Sequence, residues 1–170
     1  KGKYMASVSF RTDASTNFGK DNRYGKFYSI SGAWLVSSEK FMQKQKALSF
    51  LKLRLSYGTS GKEAGIDYLN YTLYAIGKDY EDYYREHPLY PSSYPAVINQ
   101  LGNDQLTWET AYTFNLGVDM GFLNDRIRLN ADYYRRRNSD LIMSVATAAA
   151  IGVGAQYKNV GEMLNQGVEL

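Results

Sequence analysis

The chain contains no cysteine and only one histidine, His87. Without thiols there is no disulfide framework and no thiolate metal site. A lone imidazole between Glu86 and Pro88 leaves almost no material for a metal cluster or a histidine-based triad, and it reads as a surface loop residue. No run of about 18 apolar residues occurs, so no transmembrane helix is encoded, and the start lacks the charged-then-apolar pattern of a signal peptide. Charge of one sign is also scarce: a formal net charge of +3 over 170 residues is too mild to imply nucleic acid. Gly152 and Gly154 open like a dinucleotide fingerprint, but Tyr157 stands at the third glycine position and no crossover helix follows. Asp79, Glu81, Asp82 and Glu86 offer hard oxygen ligands without the spacing or the glycine of a calcium loop, so they read as a solvated acidic stretch. The expectation is a protein that is not an enzyme and needs no cofactor or metal.

What the chain does have is tyrosine, 16 of them beside 15 glycines and 3 prolines, a composition that favours aromatic-rich β structure. The clearest pattern runs from Glu109 to Arg136. On its first half Thr110, Tyr112, Phe114, Leu116, Val118, Met120 and Phe122 fall on one face, and Glu109, Ala111, Thr113, Asn115, Gly117, Asp119 and Gly121 on the other. On its return Ile127, Leu129, Ala131 and Tyr133 alternate with Arg128, Asn130, Asp132 and Tyr134. A period of two is a strand, and a turn at Asn124-Asp125 sets Phe122 opposite Ile127, so both apolar faces point the same way.

Four more runs alternate in this way. Tyr4, Ala6, Val8 and Phe10 mark a first strand, which breaks in a polar loop from Asp13 to Gly25; Tyr28, Ile30, Trp34 and Val36 mark a second. Ser37 to Ser49 reads as a connection with a short helical turn capped by Ser37 or Ser38. Leu51, Leu53, Leu55 and Tyr57 make a third strand; the stretch after Ile142 reads as small and flexible; Leu164 to Leu170 makes a sixth strand. Between Gly58 and Thr107 lies a connection of a length that is usually functional or disordered. It holds half the tyrosines, namely Tyr68, Tyr71, Tyr74, Tyr80, Tyr83, Tyr84, Tyr90 and Tyr94, with a weak alternation from Ile66 to Ile76 that suggests an excursion hairpin. Exposed aromatic rings with phenol hydroxyls suit contact with sugars, peptides or a partner surface, while packing within the loop itself is the plainer role.

In an up-and-down meander of these six strands, the connections at 37 to 49 and 123 to 126 fall at one end, and those at 13 to 26, 58 to 107 and 143 to 162 at the other. Strands of about 9 to 11 residues, apolar on one face, with short turns at one end and long loops at the other, are what an outer-membrane barrel needs, because only a closed sheet satisfies its backbone in hydrocarbon. The expected fold is therefore all-β, an antiparallel up-and-down transmembrane β-barrel segment of about six strands with long extracellular loops and short periplasmic turns. A passive porin or adhesin barrel and a soluble carbohydrate-binding β-sandwich share the alternation and stand as alternatives.

On the barrel reading, Lys52, Arg54, Glu109, Asp119, Arg128 and Asp132 line the lumen, with Asp119 expected to pair diagonally with Arg128. Trp34, Tyr133, Arg135 and Arg137 sit at the lipid interface. For Arg135 and Arg137, contact with lipid phosphate and simple snorkelling or pairing fit equally well.

The motifs then carry a resemblance. S-F-R-T-D-A-S at 9–15, Y-S-I-S-G-A-W-L-V-S-S-E at 28–39, L-K-L-R-L-S-Y-G-T-S-G at 51–61, L-T-W-E-T at 106–110, N-L-G-V-D at 115–119, D-Y-Y-R-R-R-N-S-D-L-I at 132–142 and N-V-G-E-M-L-N-Q-G-V-E-L at 159–170 together resemble the barrel of SusC/RagA-type TonB-linked outer-membrane transporters, over essentially the whole chain. Ala14 stands where that family commonly has glycine, and Lys62 where it has asparagine; both are loop positions. The resemblance implies that residues 1–170 are a C-terminal slice of a barrel of about 22 strands, without its plug domain and TonB box. It further implies a Gram-negative outer membrane, active import of oligosaccharides or peptides, a SusD-like surface lipoprotein as lid, and energy from the TonB-ExbB-ExbD complex acting through the missing N-terminal region.

Overall fold

The computed structural model describes residues 2–42, 47–76 and 96–170. Its strands are β1 (Tyr4–Ala14), β2 (Tyr24–Leu35), β3 (Leu48–Lys62), β4 (Leu73–Ile76), β5 (Ala96–Gln100), β6 (Glu109–Phe122), β7 (Ile127–Ala146) and β8 (Ala155–Glu169). Six of them form one antiparallel sheet in the order β1-β2-β3-β6-β7-β8, and β4 pairs with β5 in a small second sheet. Order in space follows order in sequence, so the large sheet is the expected meander. No helix of the described residues is long and apolar enough to cross a membrane, which says nothing of strands.

The register keeps the two kinds of side chain on opposite faces over the full width of the sheet. One row across it reads Val8, Ile30, Tyr57, Phe114, Arg135, Gln166; the row one step away reads Ser7, Ser31, Ser56, Asn115, Tyr134, Gly167. A one-residue slip in any pair would exchange the faces, which is why the alternation fixes the register so firmly. Among the described residues no other layer covers the apolar face: Val8 is 75% exposed, Phe10 68% and Val168 67%. Among the described residues the buried hydrophobics are only Phe18, Phe27, Val36, Leu69, Leu106 and Ala111. A soluble sandwich would bury one face of each sheet against the other. An exposed apolar sheet face of this width fits contact with lipid.

At the β6–β7 turn Phe122 lies opposite Ile127 and Met120 opposite Leu129, as the turn residues imply. The Arg126 amide donates to the Leu123 carbonyl at 3.4 Å, across Asn124 (φ 60) and Asp125 (φ 62). Positive φ at both central positions suits a hairpin turn that follows strand twist, and Asn and Asp tolerate it. Leu123 shares the positive φ, at 53, and the strands end at Phe122 and Ile127.

Four expectations need correction. The stretch after Ile142 is not a flexible linker: β7 continues to Ala146, β8 begins at Ala155, and only Thr147 to Gly154 forms the tip, with a 3₁₀ turn at Ala149–Ile151 ended by Gly152 in the left-handed region (φ 77). Alanine, serine and glycine mark no face, so alternation could not reveal strands whose pairing is made by backbone. Val36 does not lie on the apolar face but is buried in a 3₁₀ turn, Val36–Ser38, which no side chain caps. The excursion hairpin is not contained in 66–76; its second strand is β5, reached across the long connection. Finally, Ala14 and Lys62 are not loop positions but the last residues of β1 and β3, each still paired across the sheet. Separately, β7 slips register between Asn138 and Ile142, a bulge at which Asp140 takes φ 58.

Candidate functional site at the long-loop mouth

The described parts of the long connection, residues 63–76 and 96–108, fold back over the polar face at the end of the sheet where the loops are long. Phe18, from the β1–β2 loop, packs with Leu69 and Leu106 of the long connection; all three are buried, with Ala64, Trp108, Ile142 and Tyr157 against them. Complete burial of Phe18 and Leu106 contributes about 1.5–3 kcal/mol each. The Trp108 ring lies 5.2 Å from Phe18 and meets Phe27 edge-on at 5.8 Å, while its Nε1 donates to the Arg23 carbonyl at 3.2 Å. The Phe27 ring lies against Gly61 of β3, which leaves room for it: a Cβ there would overlap the ring. A glycine in a strand interior marks such a close approach.

Polar side chains strap the returning half of the connection to β7 and β8. Asn159 Nδ2 donates to the Thr107 carbonyl at 3.0 Å and to the Asp140 carbonyl at 2.6 Å, and its Oδ1 accepts from the Thr107 amide at 2.9 Å. One amide side chain thus stands in for a strand neighbour at the bulge. Asn103 Nδ2 donates to the Tyr157 carbonyl at 2.9 Å, and Gln156 Nε2 to the Gly102 carbonyl at 2.8 Å. Glu109 accepts the Ile142 amide at 2.9 Å, satisfying a donor that the bulge takes off the ladder.

The frame so built presents tyrosines. Gln100 Nε2 donates to the carbonyls of Tyr68 at 2.8 Å and Tyr71 at 3.4 Å, yet the side chains point outward: Tyr68 is 62% exposed, Tyr71 53% and Tyr74 61%. Loop packing is carried by Phe18, Leu69, Leu106 and Trp108, which the sequence did not single out as a core. Tyr80, Tyr83, Tyr84, Tyr90 and Tyr94, together with His87 and the acidic stretch from Asp79 to Glu86, lie outside the described residues.

Lys52, Arg54, Glu109, Asp119, Arg128 and Asp132 all fall on the polar face, and the structure brings three of them together. Arg54 donates to Asp119 through Nε (2.9 Å) and Nη2 (2.8 Å), and Nη2 also reaches Asp132 at 3.1 Å. Asp119 therefore does not pair with Arg128 as expected. Arg128 faces Asp125 of the turn at 3.8 Å, and Asp125 is held in turn by Ser49, whose hydroxyl donates to it at 3.1 Å and accepts its amide at 2.9 Å. The shorter reach of an i,i+3 partner in the turn wins over the diagonal neighbour. Lys52 lies opposite Asp119 in register, and Glu109 lies 4.0 Å from Lys62.

Trp34, Tyr133, Arg135 and Arg137 all fall on the apolar face. Trp34 stacks on Tyr4 with ring centres 6.2 Å apart. Both belong to a cluster at the short-turn end around Glu39, which accepts hydrogen bonds from Tyr4 (2.8 Å), Lys3 (3.0 Å) and Trp34 Nε1 (3.3 Å). These donors, Tyr4 foremost, hold the Glu39 carboxyl below its ordinary range. Glu39 was not legible as part of a site, since nothing in its local sequence marks a shared acceptor. Arg137 forks onto Glu162.

The fold and its faces define a class, the wall of a transmembrane β-barrel. Residues 1–170 match a family model described as TonB dependent receptor-like, beta-barrel. The chain is 36% identical over 169 residues to the TonB-dependent receptor SusC of Bacteroides thetaiotaomicron, a match covering 98% of this chain and 16% of that protein. It is 32% identical over 169 residues to the TonB-dependent receptor P26 of Formosa agariphila, covering 99% of this chain and 16% of that one. Solved structures of the RagAB peptide importer in its closed-closed and open-open states superpose with TM-scores of 0.81 and 0.82 at 32% identity, over 97% of this chain and 17% of the matched chain. The chain belongs to the TonB-dependent receptor β-barrel family, in its SusC/RagA-type division. It spans about a sixth of the length of the curated relatives it matches.

Proposed function

We propose that residues 1–170 form a wall segment of an outer-membrane, TonB-dependent active importer of oligosaccharides or peptides in a Gram-negative bacterium. The observation that carries this reading is a sheet with one apolar face uncovered among the described residues, over whose opposite, polar face the described parts of the long connection fold and present Tyr68, Tyr71 and Tyr74 to solvent. Likeness to SusC and to RagAB supports a SusD-like surface lipoprotein as partner. The plug domain, the TonB box and the contact with TonB-ExbB-ExbD are assigned to the parts of the protein outside residues 1–170. Its work is binding and passage rather than covalent chemistry, and the polar face, with Lys52, Arg54, Glu109, Asp119, Arg128 and Asp132, lines the lumen. The loop tyrosines contact substrate or the lipoprotein lid by ring stacking and hydroxyl hydrogen bonds. Likeness to a peptide importer favours peptides among the two substrate classes.

Replacing Tyr68, Tyr71 and Tyr74 with serine in the full-length protein, and measuring uptake and lipoprotein binding separately, tests the assignment. A fall in uptake alone assigns them to substrate, and a fall in lipoprotein binding assigns them to the lid. Unchanged values for both remove them from function.

A further inference from the structure

The apolar face carries a basic step at its long-loop end. Arg135 lies opposite Phe114 and Arg137 opposite Tyr112, and with Tyr57 and Tyr133 they line a groove of about 590 Å³. Phe114 and Tyr133 meet edge to face at 6.3 Å. The two guanidinium groups of this groove are not equivalent. Arg137 is bound through Nε and Nη2 to both oxygens of Glu162, at 2.7 and 3.0 Å. Arg135 is exposed and has no ion-pair partner among the described residues.

Height places this groove at a membrane boundary. At about 3.4 Å per residue and a strand tilt near 40°, β7 climbs roughly 20 Å from Ile127 to Arg135 and about 26 Å to Arg137, against an apolar band of about 25 Å. The headgroups of the leaflet on the long-loop side therefore lie level with the groove. A guanidinium facing lipid at that depth needs an anion, and its planar fork matches phosphate.

We propose that this groove binds the phosphorylated headgroup of an outer-leaflet glycolipid, with Arg135 as its phosphate ligand and Glu162 as a brace that holds Arg137 away from it. Snorkelling alone needs only a long stem that reaches water. The concave aromatic floor goes further, since it offers ring faces to the sugar and acyl root of a headgroup while the guanidinium takes the phosphate. This inference rests on the assignment of the sheet to an outer-membrane wall with its long connections outside.

The test uses the full-length protein in nanodiscs, with binding of bisphosphorylated lipid A, dephosphorylated lipid A and inorganic phosphate read by native mass spectrometry. Arg135→Ala is expected to weaken bisphosphorylated lipid A about tenfold, the scale of a charge-assisted bidentate contact, and to leave the dephosphorylated lipid unchanged. Glu162→Gln is expected to tighten the phosphorylated lipid by freeing Arg137. Equal losses for both lipids, or no change with either variant, overturn the proposal, and inorganic phosphate binding as tightly as the lipid reassigns the site to soluble anions. Heat-modifiable migration of the wild type on a gel reports the wall assignment separately: a protein that does not shift fails that reading first.

Discussion

Arg54 reaches across strand β6 directly over Gly117. The three residues Arg54, Gly117 and Asp132 occupy one row of the sheet, and a Cβ on Gly117 would lie 2.7 Å from Arg54 Cζ and 2.8 Å from Nη2. The glycine is the gap through which one guanidinium serves two carboxylates on two different strands.

Gly117→Ala should therefore destabilise the barrel by displacing Arg54, and the effect should depend on Arg54 being there. In urea unfolding of the full-length protein in lipid, Gly117→Ala and Arg54→Met are expected to be non-additive by about 1–2 kcal/mol, the range for residues sharing one contact network. Additivity within about 0.3 kcal/mol would show that the glycine serves backbone geometry rather than the ion triad.

Asn159 tests whether the long connection is a built surface. Its three hydrogen bonds go to the backbone of Thr107 and Asp140, so Asn159→Ala leaves one exposed-edge donor and two acceptors unpaired. At about 1 kcal/mol net per bond, hydrogen exchange at the Thr107 amide should accelerate on the order of tenfold or more, while amides in the middle of β6 stay protected. Uniform acceleration along β6 would mean that the side chain stabilises the whole sheet and not the loop strap.

Glu39 supplies a pH dependence at the short-turn end. Its folded-state pKa lies below the ordinary 4.5, so its contribution is fully present above that value and is lost as pH falls through the depressed folded value. Glu39→Gln should make the stability of the Trp34 and Tyr4 stack insensitive to pH in that acid window, followed by Trp34 fluorescence. An acid response of the same size in wild type and variant would assign it to other carboxylates.

The hairpin, its register and both faces were legible from alternation alone, because a period of two with Asn-Asp at the turn admits one pairing. The same alternation sets Tyr57, Tyr112, Phe114 and Tyr133 on the apolar face, although it does not say that they gather around a groove. The mouth was not legible in that way. Phe18, Leu69 and Leu106 are far apart in sequence and sit in polar surroundings, and Trp108 lies just before its strand begins; only the fold-back of the connection brings them together. Asn159 falls within the stretch from 143 to 162 that reads in the sequence as a connection, and its role arises from a bulge at Asp140 that no sequence period announces. Arg137 could be placed on the outward face, but its partner Glu162 sits on a strand whose start the small residues concealed.

On this reading the two faces of the sheet meet lipid and lumen. Spin labels placed singly at Leu116 and Asn115, neighbours on β6 that point to opposite faces, test it most directly when the full-length protein is in bilayers. Collision rates should favour oxygen over a water-soluble nickel chelate at Leu116 and reverse at Asn115, and a label that meets the water-soluble quencher equally at both positions would rule out a lipid-facing and a lumen-facing side.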